Sequence, residues 1–135
     1  MRAEIQKLNP PTRIPNRGPF HSEDEALAEV VCRLANDLDP KAIWLFGSRA
    51  SGTHSPDSDF DLLVVTKDTD GDAAFDYDRT YAPIKELGVG CDVVPCPESD
   101  FATEQSDPTS LCHHIVQTGK QIYDREAGLL LLRAR

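Results

Sequence analysis

Asp59 and Asp61 stand two residues apart at the head of the apolar run Leu62-Leu63-Val64-Val65. A strand alternates its side chains between two faces, so carboxylates at this spacing project from the same face. Two such groups repel each other unless a cation or a shared proton compensates. Their all-oxygen donor set suits Mg2+, which takes one or two carboxylates and completes its shell with substrate phosphate oxygens. Upstream, Gly47-Ser48 follows the apolar run Ala42 to Phe46 and supplies an unhindered turn plus one hydroxyl. A turn of this kind, opening a helix, presents N–H donors to phosphate. An anion cradle ahead of a metal-binding pair makes a site for a metal–nucleoside triphosphate.

Asp92 extends the pattern. It sits within Gly90-Cys91-Asp92-Val93-Val94, an acid inside an apolar strand, where an unpaired buried carboxylate would be costly. If that strand neighbours the Asp59/Asp61 strand, three carboxylates converge on one or two metals. Two-metal sites activate an attacking oxygen and stabilise the leaving one in an in-line displacement.

The elements that must position these residues can be placed from periodicity and punctuation. Ser22 and Glu25 form the S-x-x-E signature of a helix start, and Leu27, Val30, Val31, Leu34 and Leu38 recur at helical spacing up to Pro40. Ala42 to Phe46 and Phe60 to Thr66 read as buried strands, joined by a Gly/Ser/Pro-rich segment, 47–58, with room for one short helix. Asp68 to Asp72 reads as a loop. Asp72 to Leu87 reads as a helix using Phe75, Tyr77, Tyr81 and Ile84, kinked or ended by Pro83. A third strand, Cys91 to Val94, is expected to stop at Pro95. A short helix near Glu98 follows, then one from Pro108 to Gln117 with Gly119 as its stop, a strand Gln121 to Tyr123 and a final helix Arg125 to Arg135. The expected architecture is α/β (α+β), a small mixed sheet flanked by helices. Residues 1–19, with Pro10, Pro11, Pro15 and Pro19, form an extended, loosely ordered arm, and 20–135 one domain.

Composition narrows the partners. The chain carries 14 Lys+Arg against 23 Asp+Glu, a formal charge of −9, which argues against gripping extended nucleic acid through its phosphates. The excess is local: residues 57–78 hold eight aspartates against Lys67 alone. Asp68-Thr69-Asp70-Gly71-Asp72 does not fit a calcium loop, because its glycine falls at position four and Arg79 stands where a Glu is needed. No apolar run approaches the length of a membrane span or a signal peptide, so the expected compartment is the cytoplasm. Cys32, Cys91, Cys96 and Cys112 then read as reduced, half-buried core thiols. Neither C-x4-C nor the neighbouring His113 and His114 gives the spacing of structural zinc. His54 reads as an exposed loop histidine.

The segment Phe46-Gly47-Ser48, a spacer, and Ser58-Asp59-Phe60-Asp61-Leu62 resembles the signature of the DNA polymerase beta-like nucleotidyltransferase superfamily, in particular its stand-alone minimal members. Asp92 matches the third acidic position, and Gly119-Lys120-Gln121-Ile122-Tyr123 the closing strand, so the likeness spans about residues 22–124. It implies that Gly47 and Ser48 hold the β- and γ-phosphates of the donor, with Arg49 and Ser58 also at the nucleotide. It further implies that Asp59, Asp61 and Asp92 bind two Mg2+ ions and that ATP donates AMP to an acceptor hydroxyl. Ser51 departs from the family, whose close relatives often carry Arg there. The implied acceptor lies on a HEPN-domain toxin neutralised by this chain, or on a homodimer mate. Two alternatives follow: a non-catalytic toxin-binding antitoxin, or a small-molecule transferase of the aminoglycoside-modifying kind.

Overall fold

A computed structural model describes residues 14–130. Helix α1, Glu23–Leu38, starts where the sequence places it: Ser22 is the N-cap, and its hydroxyl accepts from the Glu25 N–H at 3.0 Å. All five apolar positions of its face are buried. It ends at Asp39, in the left-handed region at φ 49°, whose carboxylate ties down Lys67 and Arg125.

Strand β1, Ala42–Phe46, is followed by the short helix α2, Ser48–Ser51, and then by strand β2, Phe60–Thr66. Strand β3 spans Cys91–Pro97, helix α4 Glu98–Glu104, helix α5 Leu111–Thr118, strand β4 Lys120–Asp124 and strand β5 Gly128–Leu129; α3 is the turn of helix Tyr77–Tyr81. The sheet order is β3-β2-β1-β4-β5, with β2 and β3 parallel and the other pairs antiparallel. This is the expected mixed sheet flanked by helices.

The alternation of β2 divides the core. Phe60, Leu62 and Val64 pack with the buried face of α1, while Leu63 and Val65 face the other way, with Cys112 and Ile115 of α5. Asp61 shares the second face with Leu63, two positions away, and stands where the apolar packing runs out. Both faces of the Leu62–Val65 run are covered, as its unbroken apolarity implies.

Four expectations are corrected. The helix expected over 72–87 is instead a 3-10 segment, Asp68–Phe75, broken at Gly71, then α3, then a 3-10 turn at Ala82–Ile84. Its apolar spacing is misleading: Phe75 and Tyr77 are 57% and 58% exposed, and the buried positions are Ala74, Thr80, Ile84 and Leu87. Strand β3 runs through Pro95, because β3 is a sheet edge, where a residue without an N–H can be carried. After β4 the chain turns at 125–127 into β5 rather than into a helix; the rest of that expected helix, from residue 131, lies outside the described residues. Finally, residues 14–19 are not a loose tail, since Asn16 is bonded into the sheet's end; residues 1–13 lie outside the description. Among the described residues no helix is long and apolar enough to cross a membrane.

Candidate active site

The parallel pairing of β2 and β3 sets Asp61 directly opposite Asp92. Side chains at one register level of neighbouring strands share a face, so the two carboxylates stand side by side. Asp59 lies one residue ahead of β2, not within it. Its Oδ1 nevertheless crowds Gly90, where a Cβ would come within 2.4 Å of it. The three acids therefore lie at the same open end of the β2–β3 pair. Asp59 and Asp92 are exposed and Asp61 is half-buried, so the expected burial of Asp92 is corrected: it lies in β3, but at the strand's exposed start. Burial first, then the negative charges of Asp92 and Asp59, raise the Asp61 carboxyl above its ordinary value.

Gly47 supplies the turn. It adopts φ 72° and ψ −155°, and a Cβ on it would lie 2.1 Å from Asp61 Oδ2, so the backbone runs against the carboxylate itself. Ser48 is the first residue of α2, one turn long, closed by Gly52 and Thr53 N–H groups donating to the Ser48 carbonyl. Ser51 donates its hydroxyl to the same carbonyl at 3.2 Å and meets Thr53 Oγ1 at 2.9 Å. The turn is braced by short polar side chains.

Arg49 does something the sequence does not reveal. It points away from the turn into the protein, 8% exposed. Its guanidinium donates to the carbonyls of Ser58 and Pro56, both at 3.0 Å, and to Glu23 of α1 at 2.7 Å, and it lies 4.1 Å above the Phe60 ring. These contacts staple the loop that delivers Asp59 to the first turn of α1, so a phosphate could reach this guanidinium only by displacing them. Ser58 is likewise engaged: its hydroxyl accepts from the Ser55 N–H, and its carbonyl takes Arg49 and Asn16. Arg49→Ala removes three donors from acceptors they shield, with an expected loss of about 3 kcal/mol. Arg49→Lys restores little of it, because one ammonium cannot span three separated acceptors. Urea unfolding of the two variants beside the parent measures both effects.

The remaining candidates fall elsewhere. Cys96 and Cys112 are buried 3.7 Å apart, whereas Cys32 is exposed, which corrects its reading as a core thiol. Burial pushes the Cys91 thiol up to about 12. His113 Nδ1 meets the Gln105 carbonyl, and His114 pairs with Thr118. His54 is exposed and borders a cleft with Glu23, Arg49 and Lys120. Among the described residues no three His, Cys, Asp or Glu side chains form a ready cage for an ion. Asn16 has no sequence signal beyond a Pro-Asn-Arg-Gly turn, yet it bonds beside both acid-bearing strands.

Comparison with known proteins bears on the family and the fold. The family described as "Polymerase beta, Nucleotidyltransferase" matches residues 29–127, a span that includes the turn and all three acids. The chain is 31% identical over 96 residues to the protein adenylyltransferase MntA of Shewanella oneidensis, covering 69% of this chain and 62% of that protein. It thus spans about three fifths of that relative's length. A crystal structure described as a nucleotidyltransferase from Sulfolobus solfataricus is similar in fold, with a TM-score of 0.55 at 22% identity over 78% of this chain and 84% of that one. A toxin–antitoxin structure with AMP-PNP gives a TM-score of 0.48 at 27% identity, over 72% of this chain and 73% of that one.

Proposed function

The chain belongs to the polymerase beta nucleotidyltransferase family, and on that premise we propose that it transfers AMP from ATP to a hydroxyl on a partner protein. The observation that carries the proposal is Asp61 set opposite Asp92, with Asp59 beside them and the Gly47 turn pressed on the Asp61 carboxylate. Among the described residues, none of the three carboxylates has an ion pair or a hydrogen bond.

The donor set fits Mg2+, with Asp59, Asp61 and Asp92 as its protein ligands and substrate phosphate oxygens as the rest, so a closed protein cage is not required. When bound, the ions would neutralise charge on the triphosphate and lower the pKa of the attacking hydroxyl. The chain's own residues do the remainder. Gly47 leaves room for the Asp61 carboxylate against the turn, and Ser48 would offer a hydroxyl and its N–H to the triphosphate. Asp92, exposed on the edge strand, would accept the acceptor's proton. The acceptor oxygen forms the new bond to the α-phosphorus, the α–β bridging bond breaks, and pyrophosphate leaves. Positioning and charge compensation supply the rate.

AMP as the transferred group and protein as the acceptor draw support from the relative named a protein adenylyltransferase. The resemblance of the motifs makes a HEPN-domain toxin the acceptor to try first, with a homodimer mate second. The test is incubation with Mg2+, ATP labelled on its α-phosphate, and the protein encoded beside this one, alongside Asp59→Ala/Asp61→Ala. Label on the neighbour that disappears with the double variant is the expected result. No label, with full neutralisation of the neighbour by the double variant, would leave a binding module only. Label on an added aminoglycoside would move the acceptor to small molecules.

A further inference from the structure

Asn16 lies outside the family motifs, yet it occupies the one place where both acid-bearing strands begin. Its Nδ2 donates to the Ser58 carbonyl at 3.0 Å and to the Gly90 carbonyl at 2.8 Å. Its Oδ1 accepts from the Gly90 N–H at 2.7 Å, and its own N–H donates to the Pro56 carbonyl at 2.8 Å. Ser58 immediately precedes Asp59, and Gly90 comes two residues before Asp92. One side-chain amide therefore pairs with both polar groups of Gly90, as a neighbouring strand would, and reaches across to the other strand's approach.

We propose that Asn16 is a positioning residue that fixes the separation of Asp59 from Asp92 at the start of β2 and β3; this rests on the metal-binding reading above. The ladder itself leaves the separation loose there, since the Phe60 N–H to Gly90 carbonyl bond, at 3.0 Å, is the first between the two strands. Beyond it Asn16 spans the gap. The same corner is crowded from the other side: a Cβ on Gly90 would meet Asp59 Oδ1 at 2.4 Å and Asn16 Nδ2 at 3.4 Å. The amide and the Asp59 carboxylate thus share one small glycine between them, and moving the amide frees the carboxylate.

The residue type follows. Only a short side chain with both a donor and an acceptor satisfies Gly90 and Ser58 at once. Aspartate has the same shape but would set an oxygen against two carbonyl oxygens. It also separates geometry from charge, because an added negative charge by itself raises cation affinity, whereas a displaced carboxylate lowers it. Asn16 belongs to neither apolar core, so the fold should survive its loss.

The experiment is Mn2+ binding, followed by the EPR signal of free Mn2+, on the parent, Asn16→Ala, Asn16→Asp and the remote core control Val31→Ala, each shown folded by circular dichroism and urea unfolding. The expected result is about a tenfold weaker Mn2+ affinity in both Asn16 variants, with the control unchanged even where its stability falls as far. Parent-like affinity in Asn16→Ala, or tighter binding in Asn16→Asp, overturns the positioning role and leaves the metal site standing. Absence of Mn2+ binding by the parent overturns both. Should Asn16→Ala fail to fold, the isosteric Asn16→Asp decides alone.

Discussion

Asp61→Asn is expected to lower AMP transfer by about three orders of magnitude while making the metal-free protein harder to unfold. The two effects have one source. Asp61 is half-buried, faces Asp92 across the β2–β3 ladder and has Asp59 two residues away, with no described cation beside any of them. Asparagine keeps the shape that fits against Gly47 but cannot supply the anionic oxygens a divalent ion needs. Losing several kcal/mol of charge stabilisation at the transferring phosphoryl group corresponds to about a thousandfold in rate.

The stability gain follows from the direction of the Asp61 shift. Its carboxyl is raised above 3.8 in the folded protein, chiefly by burial, then by Asp92 and Asp59. The folded state therefore holds this proton more tightly than the unfolded chain does. That contribution is fully present below 3.8 and is lost as pH rises through the folded value. At neutral pH the parent carries an ionised group its fold disfavours, and the asparagine variant carries no charge there. The variant's urea midpoint should exceed the parent's at pH 7, and the difference should shrink as pH is lowered towards 3.8. Added Mg2+ should stabilise the parent and not the variant, because only a ligand bound to the folded state shifts the equilibrium. A variant that transfers AMP within tenfold of the parent would remove Asp61 from the site.

How much of this is legible in the sequence depends on how local each signal is. The helix start at Ser22, the strand at Phe60 and the pairing of acids at spacing two are local facts, set by side-chain alternation and capping chemistry. The neighbourhood of β2 and β3 is only a conditional in the sequence; their parallel register makes it a fact. The region after Asp68 is misread because Phe75 and Tyr77 count as apolar in any periodicity, while the fold buries Ala74 and Thr80. Thr80 is tolerated there because its hydroxyl bonds back to the Asp76 carbonyl at 2.7 Å. Arg49 and Asn16 are illegible for another reason. Most of their partners are backbone groups 7 to 74 residues away, and a backbone group leaves no trace in residue identity. Function shows in the sequence through residue types; the scaffold that aims those residues does not.

Gly47→Ala should silence the site without touching any acid. Two costs add at this position. The backbone at φ 72° and ψ −155° lies in a region open almost only to glycine, so a side chain adds strain of about 1–3 kcal/mol. The new Cβ would also fall 2.1 Å from Asp61 Oδ2 and 3.1 Å from its Cγ, well inside contact distance. The backbone of β2 is held by neighbours on both sides, so the carboxylate is what must move. A displacement of about 1 Å is enough to cost about a hundredfold in rate where catalysis rests on position. Gly52→Ala separates the two costs. Gly52 closes the same short helix at φ 83°, but a Cβ there meets nothing within 4 Å. Gly47→Ala should therefore lose more stability in urea than Gly52→Ala, and only Gly47→Ala should lose AMP transfer when both are assayed folded. Equal transfer by the two would show that the turn's contact with Asp61 is incidental. A hundredfold gap between the two folded variants would show that the glycine is required for the room it leaves beside the carboxylate.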